Sequence, residues 1–316
     1  MASAPTSVAE STARDLALHA TGFELSLRAT RKAPNTIKSY LASIVLLDDF
    51  LADKGMPRTV ENIRREHIES FQSDQLARLR PASAGVRHRS LKVFFHWLVE
   101  EGQIKTSPMQ NIKPPTIPVE PPPILPDNLA EALIKACGGQ RFDDRRDKAI
   151  VLVLMDTGVR LGELAGMRVG DITQGRSPAP WVIRVKGKTG AGDVALANKA
   201  SLALHQYLVA RANHPRSHEP WLWLGLKGQL TSNGIAQMLR RRAGTAGIDH
   251  LNPHRFRHSF AHSYLAAGGQ EGDLMRLMRW TSRTMIGRYG ASAASERAIA
   301  SHAALSPVDR LGERRR

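Results

Sequence analysis

The sequence holds a single cysteine, Cys137, in 316 residues. One thiol forms no internal disulfide and supplies no thiolate cluster for a metal, which fits a reducing compartment. Long apolar runs are missing as well. No stretch approaches the eighteen or so residues that span a bilayer, and the small and hydroxyl residues at 2–11 are not those of a secretory signal. The expectation is a cytoplasmic protein away from any membrane, with 1–13 a flexible extension. Acidic residues are the third shortage: 29 Asp and Glu face 45 Lys and Arg, a formal charge of +16. A basic surface of that size attracts a polyanion, nucleic acid first. The shortage is uneven, with 16 basic residues against 12 acidic ones up to residue 118 and 29 against 17 beyond it. The polyanion-binding field is therefore expected mostly in the C-terminal part.

Proline is concentrated rather than scarce. Pro114, Pro115, Pro118, Pro121, Pro122, Pro123 and Pro126 crowd one short stretch, where they exclude helix and favour an extended spacer. That places a linker at 112–126 between a domain at 14–111 and a domain at 127–305, with a basic tail at 306–316. In the first domain, Ile37, Tyr40, Leu41, Ile44, Leu47 and Phe50 recur at helical steps over 36–54, which Gly55 ends. Helices are also expected at 14–28, 67–80 and 83–101, making a small all-helical bundle. Arg28, Arg31, Lys32 and Lys38 near one end, and Arg87, Arg89 and Lys92 on the last helix, are its candidate DNA contacts. The bland alternative is a helical scaffold with a solvated basic face.

Strand signals are nearly absent. One hairpin is expected, with 181–185 and 193–196 as strands and the glycine-rich 186–192 as its turn. Helices are expected at 127–137, 143–155, 159–167, 199–212, 232–244, 253–267, 272–278 and 295–304. The fold class is mainly α with a small β-hairpin, in two domains.

No carboxylate pair stands out, and the familiar cofactor motifs fail. Gly187-Lys188-Thr189 ends like a phosphate-binding loop, but the glycine needed five residues before Gly187 is Val182. His254, His258 and His262 share a helix face, yet no His-Glu-x-x-His pattern or nearby cysteine accompanies them. The expected metal is none. What remains is a series of cations and one tyrosine. Arg160 follows a glycine break, with Glu163 three residues on; by spacing alone these are an ordinary pair on a solvated helix face. His254 and Arg257 occupy the first turns of a helix that Asn252 caps and Pro253 opens, where the positive helix end adds to their pull on an anion. Lys188 sits in the hairpin turn with Lys186 beside it. Tyr289 lies between Arg288 and Gly290, and a phenol becomes a useful nucleophile only where cations stabilise its anion.

In order and spacing these residues resemble the tyrosine recombinases of the phage-integrase type: Thr157-Gly158-x-Arg160-x-x-Glu163-Leu164, the hairpin Lys188, His254-x-x-Arg257-His258, then Trp280 and Tyr289. The likeness covers nearly the whole chain. It implies a C-shaped clamp on duplex DNA, formed by a SAM-like core-binding domain and a catalytic domain. In that family's terms Arg160 and Arg257 clamp the scissile phosphate, and Lys188 protonates the departing 5′ oxygen. His254 exchanges a proton near the tyrosine, Glu163 orients the basic residues, and Tyr289 attacks to form a 3′-phosphotyrosine link. Trp280, preceded by Arg279, stands where many members have Gly-His. Its indole donates a hydrogen bond but exchanges no proton, so it positions and packs.

The resemblance further implies site-specific recombination by a homotetramer on two double-stranded DNA sites, through a Holliday junction, without metal, ATP or other cofactor. The helix at 295–304 would dock on the neighbouring protomer, and a bending or directionality factor would assist. The protein would be nucleoid-associated, in the service of a phage, an integron, another mobile element or the chromosome. With the first helix expected at 14–28, no separate arm-binding domain is expected and the DNA site is a simple one. Two other readings stay open on the sequence: a monomeric DNA-relaxing topoisomerase using the same chemistry, and a non-catalytic DNA-binding regulator of the same fold.

Overall fold

The computed structural model describes residues 15–118, 123–176, 179–187, 190–287, 298–299, 301–303, 306 and 308–309. Arg14, Lys188, Tyr289 and half of the residues of the expected 295–304 helix lie outside that set. The chain divides into two compact units, Met1–Val119 and Glu120–Arg316.

The first unit is built from helices α1 (Asp15–Ala29), α2 (Pro34–Asp53), α3 (Arg65–Arg78) and α4 (Pro81–Glu100). Proline opens both α2 and α4, at a position where its missing N–H costs nothing and its fixed φ suits the helix. Ile37, Ile44, Leu47 and Leu51 of α2 form the buried stripe that their three- and four-residue spacing dictates. They meet Phe94, Phe95 and Leu98 of α4 and Phe23 of α1 in one core. Phe23 packs edge-on against Phe94 at 5.4 Å, and each such fully buried side chain contributes about 1.5–3 kcal/mol. After α4 the chain closes the core with Ile104, Met109 and Ile112, so the proline-rich segment starts from a packed residue.

In the second unit, α6 (Phe142–Thr157) is the central helix. Ala149, Ile150, Val151, Val153 and Leu154 are all fully buried, apolar on more than one face because helices pack around it: α5 (Asp127–Ala136), α8 (Asn198–Ala212), α9 (Ser232–Thr245) and α10 (Pro253–Ala266). Gly158 ends α6 at φ +57°, where a Cβ would also meet Phe260 and Met278. The short α7 (Leu161–Ala165) follows at once, shorter than the helix expected over 159–167 because Arg160 is its cap and Gly166 its stop.

A three-stranded antiparallel sheet has the order β1 (Ile172–Thr173), β2 (Trp181–Gly187), β3 (Gly190–Leu196). Its register runs from Trp181 opposite Leu196 to Gly187 opposite Gly190, leaving only two residues to connect the strands. The glycine-rich stretch expected as a turn is thus mostly strand. Gly187 and Gly192 there serve close approach by other side chains, while Gly190, at φ +98°, serves the reversal. A second small hairpin, β4 (Leu224–Gly225) with β5 (Gly228–Gln229), was not expected at all. Tyr207 of α8 secures it: its hydroxyl donates to Leu222 O and accepts from Leu224 N. Helix α11 (Glu271–Met278) ends at Arg279 in a left-handed conformation. Leu274, Met278, Trp280 and Ile286 form a small core there with Ala261 and Leu265 of α10.

Candidate active site

Three chain segments converge at the end of α6. The first is the α6–α7 junction. Arg160 caps α7, its amide donating to Glu163 Oε2 at 3.0 Å and its Nη1 to Glu163 Oε1 at 2.9 Å. This is not a pair on a solvated face, since Glu163 is only 3% exposed while Arg160 remains 33% exposed. Burial alone would raise the Glu163 carboxyl. The hydrogen bonds from Arg160, together with the charges of Arg279 and Arg160, outweigh it and hold the group below its usual range.

The second segment is α10. Asn252 accepts from His254 N at 2.9 Å, fixing the helix start, and His254 is exposed on the first turn with its ring 6.4 Å from that of His258. One turn further in, Arg257 is 4% exposed. Its Nη1 donates to Gly158 O at 2.8 Å and its Nη2 to Met278 O at 2.6 Å. Both acceptors are carbonyls at helix C-termini, where the dipole is negative and the acceptors lack helical partners. Arg257 is therefore aimed by the ends of α6 and α11, and its acceptor Gly158 lies two residues before Arg160. The linker is moored to this same helix: Leu125 N donates to Ser259 Oγ at 2.7 Å and Arg255 Nη2 to Ile124 O at 2.9 Å.

The third segment follows α11. Trp280 is buried, and the Arg257 guanidinium lies over its ring at 5.6 Å. Arg279, given no role on the sequence, donates from Nη2 to Glu163 Oε2. One buried carboxylate thus serves two arginines. Lys186 is exposed on β2; Lys188 and Tyr289 fall outside the described residues, although the strands flanking Lys188 are in place. Cys137 is buried, its thiol pushed up to about 12 by burial, and has no nucleophilic character.

In the first unit the predicted DNA contacts fall into separate groups. Arg28, Lys32 and Lys38 line one shallow groove with Ile37, Leu41 and Val45; Arg28 is also paired with Glu24 at 2.6 Å, and Arg31 is exposed at φ +55°. Arg89 and Lys92 line another groove with Asn35, Thr36 and Ser39. Arg87 belongs to neither. It borders a small cavity beside Ile68, Phe71 and His88 on the other side of α4, and its guanidinium is lowered by burial and by the charge of Arg78.

The model of the phage integrase family matches residues 124–296, and that of the phage integrase N-terminal SAM-like domain matches 21–104. Tyrosine recombinase XerC of Chromobacterium violaceum is 29% identical over 251 residues, 77% of this chain and 79% of that protein. The fold is shared with XerH site-specific recombinase bound to palindromic difH substrate (TM-score 0.71, 18% identity, 84% of this chain and 79% of that one). It is shared too with a lambda integrase tetramer bound to a Holliday junction (TM-score 0.65, 17% identity, 83% and 76%). With its catalytic half matched from the linker through Tyr289 and its helical half matched separately, the chain belongs to the phage integrase family, the tyrosine-type site-specific DNA recombinases.

Proposed function

We propose that the cluster around Arg160 and Arg257 is a strand-transfer site, at which Tyr289 cuts one strand of duplex DNA through a 3′-phosphotyrosine link. The observation that carries this reading is Arg257: a buried guanidinium oriented by two helix-end carbonyls, one of them two residues before Arg160, near the Glu163 carboxylate that holds Arg160 and Arg279. Such an arrangement gathers positive charge, and a phosphodiester is an anion suited to it. As the Tyr289 oxygen attacks phosphorus, the P–O5′ bond breaks and negative charge grows on the non-bridging oxygens, where Arg160 and Arg257 stabilise it. The phenol proton passes to a base, with His254 exposed for that exchange, and the 5′ oxygen leaves with a proton from Lys188. Trp280 supports Arg257 through its ring. Attack by a 5′ hydroxyl of the partner duplex then releases Tyr289 and joins the exchanged strands. The phosphotyrosine link conserves the energy of the broken bond, so no ATP is consumed.

Two such sites require four protomers. The segment 295–304 is the proposed docking element between neighbours, and the grooves lined by Arg28, Lys32 and Lys38 and by Arg89 and Lys92 are proposed phosphate contacts. Tyr289→Phe tests the core of this reading: it should bind DNA as tightly as the natural protein and form no covalent adduct. Persistent cleavage would remove Tyr289 from the nucleophile's role, and relaxation of supercoils by a monomer without paired sites would favour a topoisomerase.

A further inference from the structure

Arg279 has no part in the reaction just described, and its position is costly. It closes α11 at φ +51°, a conformation glycine adopts freely and arginine does not. Its side chain is only 12% exposed. While Nη2 holds Glu163, Nε and Nη1 are buried and have no hydrogen-bond partner among the described residues. Strained backbone and unfilled buried donors together mark a side chain kept for what it does to its surroundings.

Those surroundings are the hairpin. A Cβ on Gly192 would stand 2.6 Å from Arg279 Cδ and 3.5 Å from its Nη1, and a Cβ on Gly187 would collide with Glu163 Oε1. Gly187 ends β2, and Gly192 lies on β3 opposite Val185. The missing side chains of these two glycines are therefore seats, one on each strand, filled by the two halves of the Arg279–Glu163 ion pair. The same carboxylate holds Arg160.

We propose that Arg279 is a positioning residue, which by bridging Glu163 and Gly192 fixes the hairpin leading to Lys188 relative to the phosphate clamp at Arg160. It touches no reacting atom; its effect is exerted through the placement of the general acid. The proposal rests on the role given above to Lys188, and its test separates the two. A 5′-bridging phosphorothiolate leaves as a thiolate, which needs far less help from an acid than an alkoxide does. Single-turnover cleavage of nicked duplexes carrying either the ordinary or the sulfur-bridged linkage is to be measured for the natural protein, Arg279→Gly, Gly192→Ala and Lys188→Ala.

Arg279→Gly relieves the backbone and leaves Arg160 paired with the buried Glu163, so the protein should stay folded at the assay temperature, with Tm measured to check it. Cleavage of the ordinary linkage should drop about 10- to 100-fold, the scale of a small misplacement of a catalytic group. DNA affinity should hold within about threefold, and on the sulfur-bridged linkage the cleavage deficit should shrink to about threefold or less. Gly192→Ala, which pushes on Arg279 from the hairpin side, should show the same pattern to a smaller degree. An Arg279→Gly protein that cleaves the ordinary linkage at the natural rate, or loses equally on both linkages, overturns the proposal. If Lys188→Ala is rescued by sulfur and Arg279→Gly is not, the Arg279 role alone fails. If Lys188→Ala is not rescued, the acid assignment fails and the Arg279 role with it.

Discussion

Two clusters of arginine and carboxylate lie in the second unit, and they are balanced in opposite ways. In the first, Arg146 and Arg242 meet Asp143, Asp144 and Asp147, joining α6 to α9 with contacts of 2.6–2.9 Å. The spare donors reach Leu224 O and Ala136 O. In the second, Arg160 and Arg279 share Glu163, and Arg257 donates to backbone carbonyls. Among the described residues, three carboxylates answer two arginines in one cluster, and one carboxylate is bonded to two arginines in the other. A buried charge is costly unless paired, so the first cluster is a finished brace, while the second gathers positive charge of the kind the proposed phosphate site needs. Charge balance thus distinguishes scaffold from site where residue type alone does not.

The largest effect should come from the unbalanced cluster. Arg257→Ala should slow covalent cleavage by about 10³-fold or more, on the scale of arginines that stabilise other phosphoryl transfers, with DNA binding reduced far less. An equal loss in both would make Arg257 a docking contact. The balanced cluster should respond in stability instead. Asp147→Ala leaves Arg146 and Arg242 under-compensated, at about 3–5 kcal/mol, read by denaturant unfolding, while cleavage per folded molecule stays at the natural rate.

Glu163 belongs to the site and also contributes to stability, and pH separates the two. Its carboxyl is held below its usual range in the fold. As pH falls, the unfolded chain therefore takes up that proton first, and the stability lent by Glu163 disappears with acid. That contribution is full above the ordinary glutamate value of about 4.3 and fades below it. The stability difference between the natural protein and Glu163→Gln should accordingly narrow from pH 6 to pH 3; a constant difference would refute the ion-pair account. The smallest effect is expected in the first unit. Lys92→Ala should weaken binding to all DNA sequences alike and reduce the log–log salt slope by about 0.9, with adduct formation at saturating protein unchanged.

Much of this was legible in the sequence because it is local. The buried stripe of α2, Pro34 and Pro81 at helix starts, and the Asn252 cap ahead of His254 and Arg257 all depend on neighbours a few residues apart. What escaped is long-range or very short. Arg279 and Glu163 are separated by 116 residues, so nothing near Arg279 announces its partner; the one signal was an arginine directly before Trp280, at a position where many family members carry glycine. Arg242 lies 95 residues from Asp147, which hid the brace in the same way. The strands β1, β4 and β5 have two residues each, too few for any alternation to register. Gly187 and Gly192 were misjudged as turn residues because a glycine needed for close approach looks, in sequence, like a glycine needed for reversal.

The most direct test is covalent trapping. The protein is incubated with nicked suicide duplexes drawn from the DNA flanking its gene, denatured, digested and mapped by peptide mass. A denaturation-resistant DNA adduct on the peptide carrying Tyr289 is the predicted result; tight binding of the same duplexes with no adduct, or an adduct on another residue, would contradict the assignment of this cluster as a strand-transfer site.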